Sequence, residues 1–117
     1  MKVIIAGGRD FNDYSLLKEK CDFFFQNHIE IEIVSGTANG ADKLGEKYAN
    51  EKGYLLKKFP ADWDKYGKSA GFKRNVEMSN YADALIAFWD GKSKGTLHMI
   101  NESKIKKLKL RIVKYNN

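Results

Sequence analysis

Cysteine, histidine and proline are scarce in this sequence. A single cysteine, Cys21, stands among 117 residues, with His28 and His98 the only histidines. An internal disulfide is therefore excluded, and no ligand cluster forms at zinc spacing. The expectation is a reducing compartment, no metal and no cofactor. No apolar run approaches membrane length, and the start "MKVIIAGG" reads as a strand, not a signal peptide. A soluble, cytoplasmic protein without a membrane partner is predicted. Repeats, low-complexity stretches and an internal linker are also missing. One domain is thus expected over 1–117, long enough for a real core and too short for two stable units.

Acids are lacking towards the end of the chain. Residues 1–60 hold nine basic and nine acidic side chains, whereas residues 61–117 hold twelve and six. Lys104, Lys106, Lys107, Lys109, Arg111 and Lys114 run to the end with no acid among them. Such a run suits a solvated face with cations near a helix C-terminus, and it equally attracts phosphate-rich partners.

What is abundant is alternation of apolar runs with helical patterns. "KVIIA" at 2–6 ends in Gly7-Gly8 and has the β-branched content of a buried central strand. After Asp13 as N-cap, Leu17, Cys21, Phe24, Phe25 and His28 recur at helical spacing. "IEIVS" at 31–35 is a second strand. A second helix follows, capped by Asn39, with Asp42 as a first-turn stabiliser, and Gly53 ends it. "YLLKKF" at 54–59 is a third strand, closed by Pro60. Residues 61–67 are expected as a loop, 68–81 as a helix, "ADALIAFW" at 82–89 as a strand, a helix from Gly95-Thr96, and "LRIVK" at 110–114 as the last strand. Five strands alternating with four helices predict an α/β fold, a Rossmann-like three-layer sandwich on a mainly parallel five-stranded sheet.

In such a sheet, ligands sit beyond the carboxyl ends of the strands, where helix N-termini present free N–H groups. Four polar, glycine-containing loops belong to that edge: "GGRDF" from Gly7, "SGTANGAD" from Ser35, "ADWDKYGKSAG" from Ala61 and "DGKSKGT" from Asp90. Gly7 and Gly8 allow close approach of a ligand, Arg9 suits a phosphate and Asp10 a hydroxyl. Ser35, Gly36, Asn39 and Gly40 form the entry to the second helix. Gly91, Ser93, Lys94, Gly95 and Thr96 suit a phosphate at a helix N-terminus. Arg74 is a candidate bidentate clamp. Trp63 and Trp89 follow strand ends, where each can stack on a base or pack in the core. Asp62, Asp64 and Asp90 are the acids placed for general-base work.

Four segments together resemble a known group: "GGRDF", "SGTANGADKLGEKYA", "FPADWDKYGKSAGFKRNVEM" and "ADALIAFWDGKSKGT". The chain is similar to the SLOG superfamily, which includes the Smf/DprA and LOG proteins, and most similar to its YspA-type branch related to YpsA. The resemblance implies a Rossmann-like fold that binds nucleotides or NAD-derived small molecules, with homo-oligomers common. Relatives include nucleotide sensors, enzymes that release the base from a nucleoside 5′-monophosphate, and DNA-processing proteins. Arg74, Met78 and Asp83-Ala84-Leu85-Ile86 look like the arginine helix and following strand of the LOG-type enzymes, and Gly91, Gly95 and Thr96 like their phosphate loop. The enzymes' glutamate position is Met99 here, and a thioether handles no proton. The catalytic candidates are therefore Arg74, Asp90 and Asp62. The leading expectation is a protein that senses or sequesters a nucleotide-derived ligand. A phosphoribohydrolase is the alternative, and nucleic-acid binding a third reading.

Overall fold

The computed structural model describes residues 1–116. Its elements, in chain order, are β1 (Lys2–Gly7), α1 (Tyr14–Phe25), β2 (Glu32–Ser35), α2 (Ala41–Lys52), β3 (Leu55–Lys58), α3 (Trp63–Tyr66), α4 (Ala70–Tyr81), β4 (Ala84–Trp89), α5 (Lys94–Ile105) and β5 (Lys109–Lys114). The five strands form one sheet of order β3-β2-β1-β4-β5, and every pairing is parallel. Ile5 lies opposite Ile86, and Phe88 opposite Val113. This is the predicted Rossmann-like three-layer sandwich.

The central strands β1 and β4 are buried almost throughout, which explains their unbroken apolar runs: in a parallel sheet both faces are covered. On one face Val3, Ile5, Ile33, Ile86 and Phe88 pack against Leu17, Cys21 and Phe25 of α1 and Tyr48 and Ala49 of α2. On the other, Ile4, Ala6, Val34, Leu85 and Ala87 meet Met78 of α4 and Met99 and Ile100 of α5. Leu17, Cys21 and Phe25 recur every four residues, so one stripe of α1 enters the core. Full burial of a Leu or Phe side chain contributes about 1.5–3 kcal/mol. The edge strands are different: β3 exposes Leu55, Lys57 and Lys58, and β5 exposes Lys109, Arg111 and Lys114. Lysines at a sheet edge discourage pairing with a further strand.

Several boundaries differ from the sequence reading. Helix α1 stops at Phe25, where Gln26 N–H turns back to Phe23 O and His28 N–H to Phe25 O. His28 therefore lies in an exposed turn, not on the inner face. The cap of α2 is Gly40, not Asn39: its φ of 82° admits the chain into the helix without a side-chain cap. The stretch expected as a loop contains α3, because the Asp62 side chain accepts from Lys65 N–H at 3.1 Å and closes a helical turn. A 3-10 turn at Gly67–Ser69 follows, and α4 begins at Ala70.

The strand order reverses between β1 and β4. The chain leaves β1 towards β2 and β3, then crosses to the other face before β4. That switch point opens a crevice at the carboxyl ends of β1 and β4.

Candidate functional site

The crevice is a cleft of about 530 Å³, within the size range of small-molecule sites. Gly7, Gly8, Arg9 and Asp10 enter it from β1, and Ala38 and Asp42 from the start of α2. Trp63 and Lys68 come from the α3 region, and Phe72, Arg74 and Asn75 from α4. Asp90, Ser93, Gly95 and Thr96 arrive from the β4–α5 loop, while Ala6, Met78 and Met99 form an apolar floor. All four predicted loops thus meet in one place.

The β4–α5 loop is organised by its own side chains. Asp90 Oδ1 accepts from Lys92 N–H at 2.8 Å and Ser93 N–H at 2.9 Å. These bonds hold its carboxyl below the ordinary carboxylate range. Asp90 is accordingly an ionised turn-former, unsuited to proton donation. Ser93 caps α5, its Oγ accepting from Thr96 N–H at 3.3 Å. The N–H groups of Lys94 and Gly95 in that first turn have no helical partner, so they offer an anion two donors at the positive end of the dipole. Gly91 and the Lys94 side chain are exposed and stand outside the cleft wall.

Arg74 ties three elements together. Its Nη1 donates to Gly36 O, and its Nε to Asn75 Oδ1 at 3.0 Å. Asn75 Nδ2 in turn reaches Gly95 O at 3.3 Å and His98 Nδ1 at 3.2 Å. Burial, with help from Arg9, lowers the guanidinium's pKa, while Asp42 opposes that shift; an arginine remains charged regardless. Arg9 and Arg74, with Lys68, therefore bring three cationic residues to one cleft.

Asp42 lies in the first turn of α2, as expected, but it is only 4% exposed and faces the cleft. Its Oδ2 accepts from Ala38 N–H at 3.2 Å. Burial pushes its carboxyl up to about 6, against the opposing pull of Arg74 and the Ala38 N–H. Asp42 is the titratable group of the cleft with the largest displacement from its ordinary range.

Other predicted residues have different surroundings. Ser35 is buried beneath the site, donating to Glu46 Oε2 at 2.7 Å and accepting from Thr37 N–H at 3.0 Å. Asp62 is exposed and caps α3, so the structure does not bring it into the cleft; Asp64 is exposed on α3. Gly36 and Asn39 line an adjoining depression of about 370 Å³, which shares Arg9, Ala38, Trp63 and Arg74 with the main cleft. Gly40 packs on the Gly8–Arg9 backbone, where an added Cβ would come within 2.2 Å of Gly8 O. Trp89 gives its Nε1–H to Ser93 O at 3.1 Å, and Lys114 Nζ covers its ring at 4.7 Å. Trp63 instead remains 51% exposed on the cleft rim, near a second exposed aromatic, Phe72. Among the described residues no three His, Cys, Asp or Glu side chains gather at metal-binding distance.

The sequence reading passed over Asn75, Phe72 and Lys68 and gave Asp42 only a helix-stabilising role. Asn75 carried a signal: with Met78 and Ser79 it forms the buried i, i+3, i+4 stripe of α4, and a polar residue on such a stripe requires partners. Phe72, its ring tilted against that of His98 at a centroid distance of 4.5 Å, follows no pattern visible in one dimension.

Comparison with known proteins gives the family of this chain. The family model described as YspA, cpYpsA-related SLOG family (YAcAr) matches residues 1–66, which span β1 to α3 and supply the Gly7–Asp10 and Ser35–Asp42 loops. "Gene 61 protein" of Mycobacterium phage D29 is 32% identical over 109 residues, covering 87% of this chain and 87% of that relative. The second match extends the likeness through most of the chain, and together they establish that this chain belongs to the YspA, cpYpsA-related SLOG family.

Proposed function

We propose that the chain is a single-domain cytoplasmic protein that binds a nucleotide or nucleotide-derived small molecule in the β1/β4 cleft, as a sensor or a sequestering protein. The observation that carries this reading is the division of labour within one cleft. The first turn of α5, with Arg9 and Arg74, suits a phosphate. The exposed rings of Trp63 and Phe72 suit a base, and Asp10 and Asp42 suit sugar hydroxyls. Family membership supports a nucleotide-related ligand. Met99, buried on the cleft floor, supports binding without turnover, since a thioether neither takes nor gives a proton. The exposed side chains of Phe23 and Ile29 support self-association through a homo-oligomeric interface.

A second reading, release of the base from a nucleoside 5′-monophosphate, is favoured by Asp42. A carboxyl titrating near 6 suits general acid–base work. One experiment separates the two. Purified protein is mixed in stoichiometric amount with AMP, ADP-ribose and cyclic NAD-derived nucleotides and separated from unbound nucleotide on a desalting column; the protein fraction is denatured by heat, and both fractions are chromatographed. Recovery of a retained ligand intact is the expected result. Free base and ribose phosphate would replace the binding reading with the hydrolytic one, and a panel neither retained nor cleaved would refute both.

A further inference from the structure

Asp42 and Arg74 approach one point from two elements without forming an ion pair. The place a Cβ would occupy on Gly36 is 2.6 Å from Arg74 Nη1 and 2.9 Å from Asp42 Oδ2. Those two atoms are therefore no farther apart than the two lengths laid end to end, 5.5 Å. Among the described residues no lysine, arginine or histidine nitrogen comes within the 4.0 Å ion-pair distance of Asp42. Both residues line the main cleft.

Two hydrogen bonds of about 2.8 Å meeting at one atom span a gap of that size. The atom must accept from a guanidinium, which only donates, and donate to a carboxylate, which only accepts. A hydroxyl does both. An ionised phosphate oxygen has no proton to give, and the amino group of a base acts as a donor only. Glu46, one turn along α2, is occupied by Ser35 and faces Lys43 and Lys58. Arg9 lines the same cleft and lies close enough to Arg74 to lower the guanidinium's pKa. A carboxyl buried this deeply without a cation in contact opposes folding, which is the pattern of a group retained for a ligand.

We infer that Asp42 and Arg74 together hold a sugar hydroxyl of the ligand, and that this pair makes the cleft select ribose over deoxyribose. The inference rests on the nucleotide reading of the same cleft. Isothermal titration of the protein with AMP, 2′-deoxy-AMP and 3′-deoxy-AMP at pH 7.5 tests it. Loss of a hydrogen bond to a charged group should weaken at least one deoxy analogue by roughly 10- to 100-fold. In Asp42→Asn, AMP should weaken towards that analogue while the analogue itself changes little. Equal affinity of the wild-type protein for all three, or an unchanged preference in Asp42→Asn, overturns the inference and leaves a bridging water in the gap. The wild-type comparison decides even should the variant fail to fold. Failure of AMP and of every ribonucleotide in the panel above to bind would remove the nucleotide reading and this inference together; equal ribo and deoxy binding removes only the inference.

Discussion

Tyr115 donates a 2.7 Å hydrogen bond to Oδ1 of Asp10, 105 positions earlier in the chain. The same ring packs edge-on against Phe11 at 4.8 Å, and Phe11 stacks on Phe88. The end of the chain thus fastens the first loop of the cleft to the centre of the sheet. In Tyr115→Phe the ring contacts persist and only the hydroxyl is lost. Because Asp10 is exposed, water can replace that bond, and the stability cost should stay below about 1 kcal/mol. The freed Gly8–Asp10 loop should weaken ligand binding by roughly fivefold, the equivalent of about 1 kcal/mol. Thermal melting and calorimetric titration on the same preparation check the two effects.

Arg74 is not replaceable by lysine. The guanidinium addresses Gly36 O and Asn75 Oδ1 from different nitrogens, and an ammonium cannot reproduce that fork. Arg74→Lys should keep the charge yet lower nucleotide affinity by about tenfold or more, and its binding should stay more salt-dependent than that of Arg74→Ala. Titration at two ionic strengths distinguishes positioning from simple charge.

Asp42 should make the protein less stable as pH rises. Its folded carboxyl titrates near 6 against 3.8 as the ordinary value. Between those limits the folded state holds more protons than the unfolded state, so stability falls from about pH 4 to about pH 6 and stays lowered above it. The full cost is at most about 3 kcal/mol. Asp42→Asn should therefore melt higher than wild type at pH 7.5, the difference closing towards pH 4. A variant no more stable at either pH would show that relaxation around the carboxylate already offsets its burial.

Thr37 adopts φ 63° in the loop between β2 and α2. A β-branched residue is strained in that left-handed region, and Ser35 Oγ holds it there through the Thr37 N–H. Thr37→Gly should raise stability by about 1 kcal/mol, read as a higher urea midpoint. Because the loop borders the cleft, a loss of ligand affinity alongside that gain would mean the strained conformation serves binding.

The layers and strand order follow from features that a single chain displays openly. Apolar runs at 2–6 and 82–89 mark doubly covered strands, and right-handed crossovers arrange the rest. The site was legible as four loops on one edge. Less visible was which side chains those loops consume internally. Ser35, Asp62 and Trp89 have the right chemistry, but each is engaged by a partner close in space: Glu46, the Lys65 amide and Ser93 O. Asp42 is the converse. Its first-turn position suggested a helix stabiliser, while its burial against the cleft depends on Gly36 and on α4, which reaches it only after the chain has crossed the sheet. His28 fits the helical spacing numerically, yet α1 had already ended, because periodicity does not record where a helix stops.

Cys21, on the inner face of α1, is fully buried, and burial pushes its thiol up to about 12. A thiol-reactive dye can then modify the protein only during openings that expose the core. As the chain has no second thiol, the labelling rate becomes a clock for such openings that requires no knowledge of the ligand's chemistry. Any compound that occupies the native protein slows that clock in proportion to 1 + [L]/Kd, about a hundredfold at a concentration one hundred times Kd. A residue outside the cleft thereby offers a direct screen for what the cleft holds.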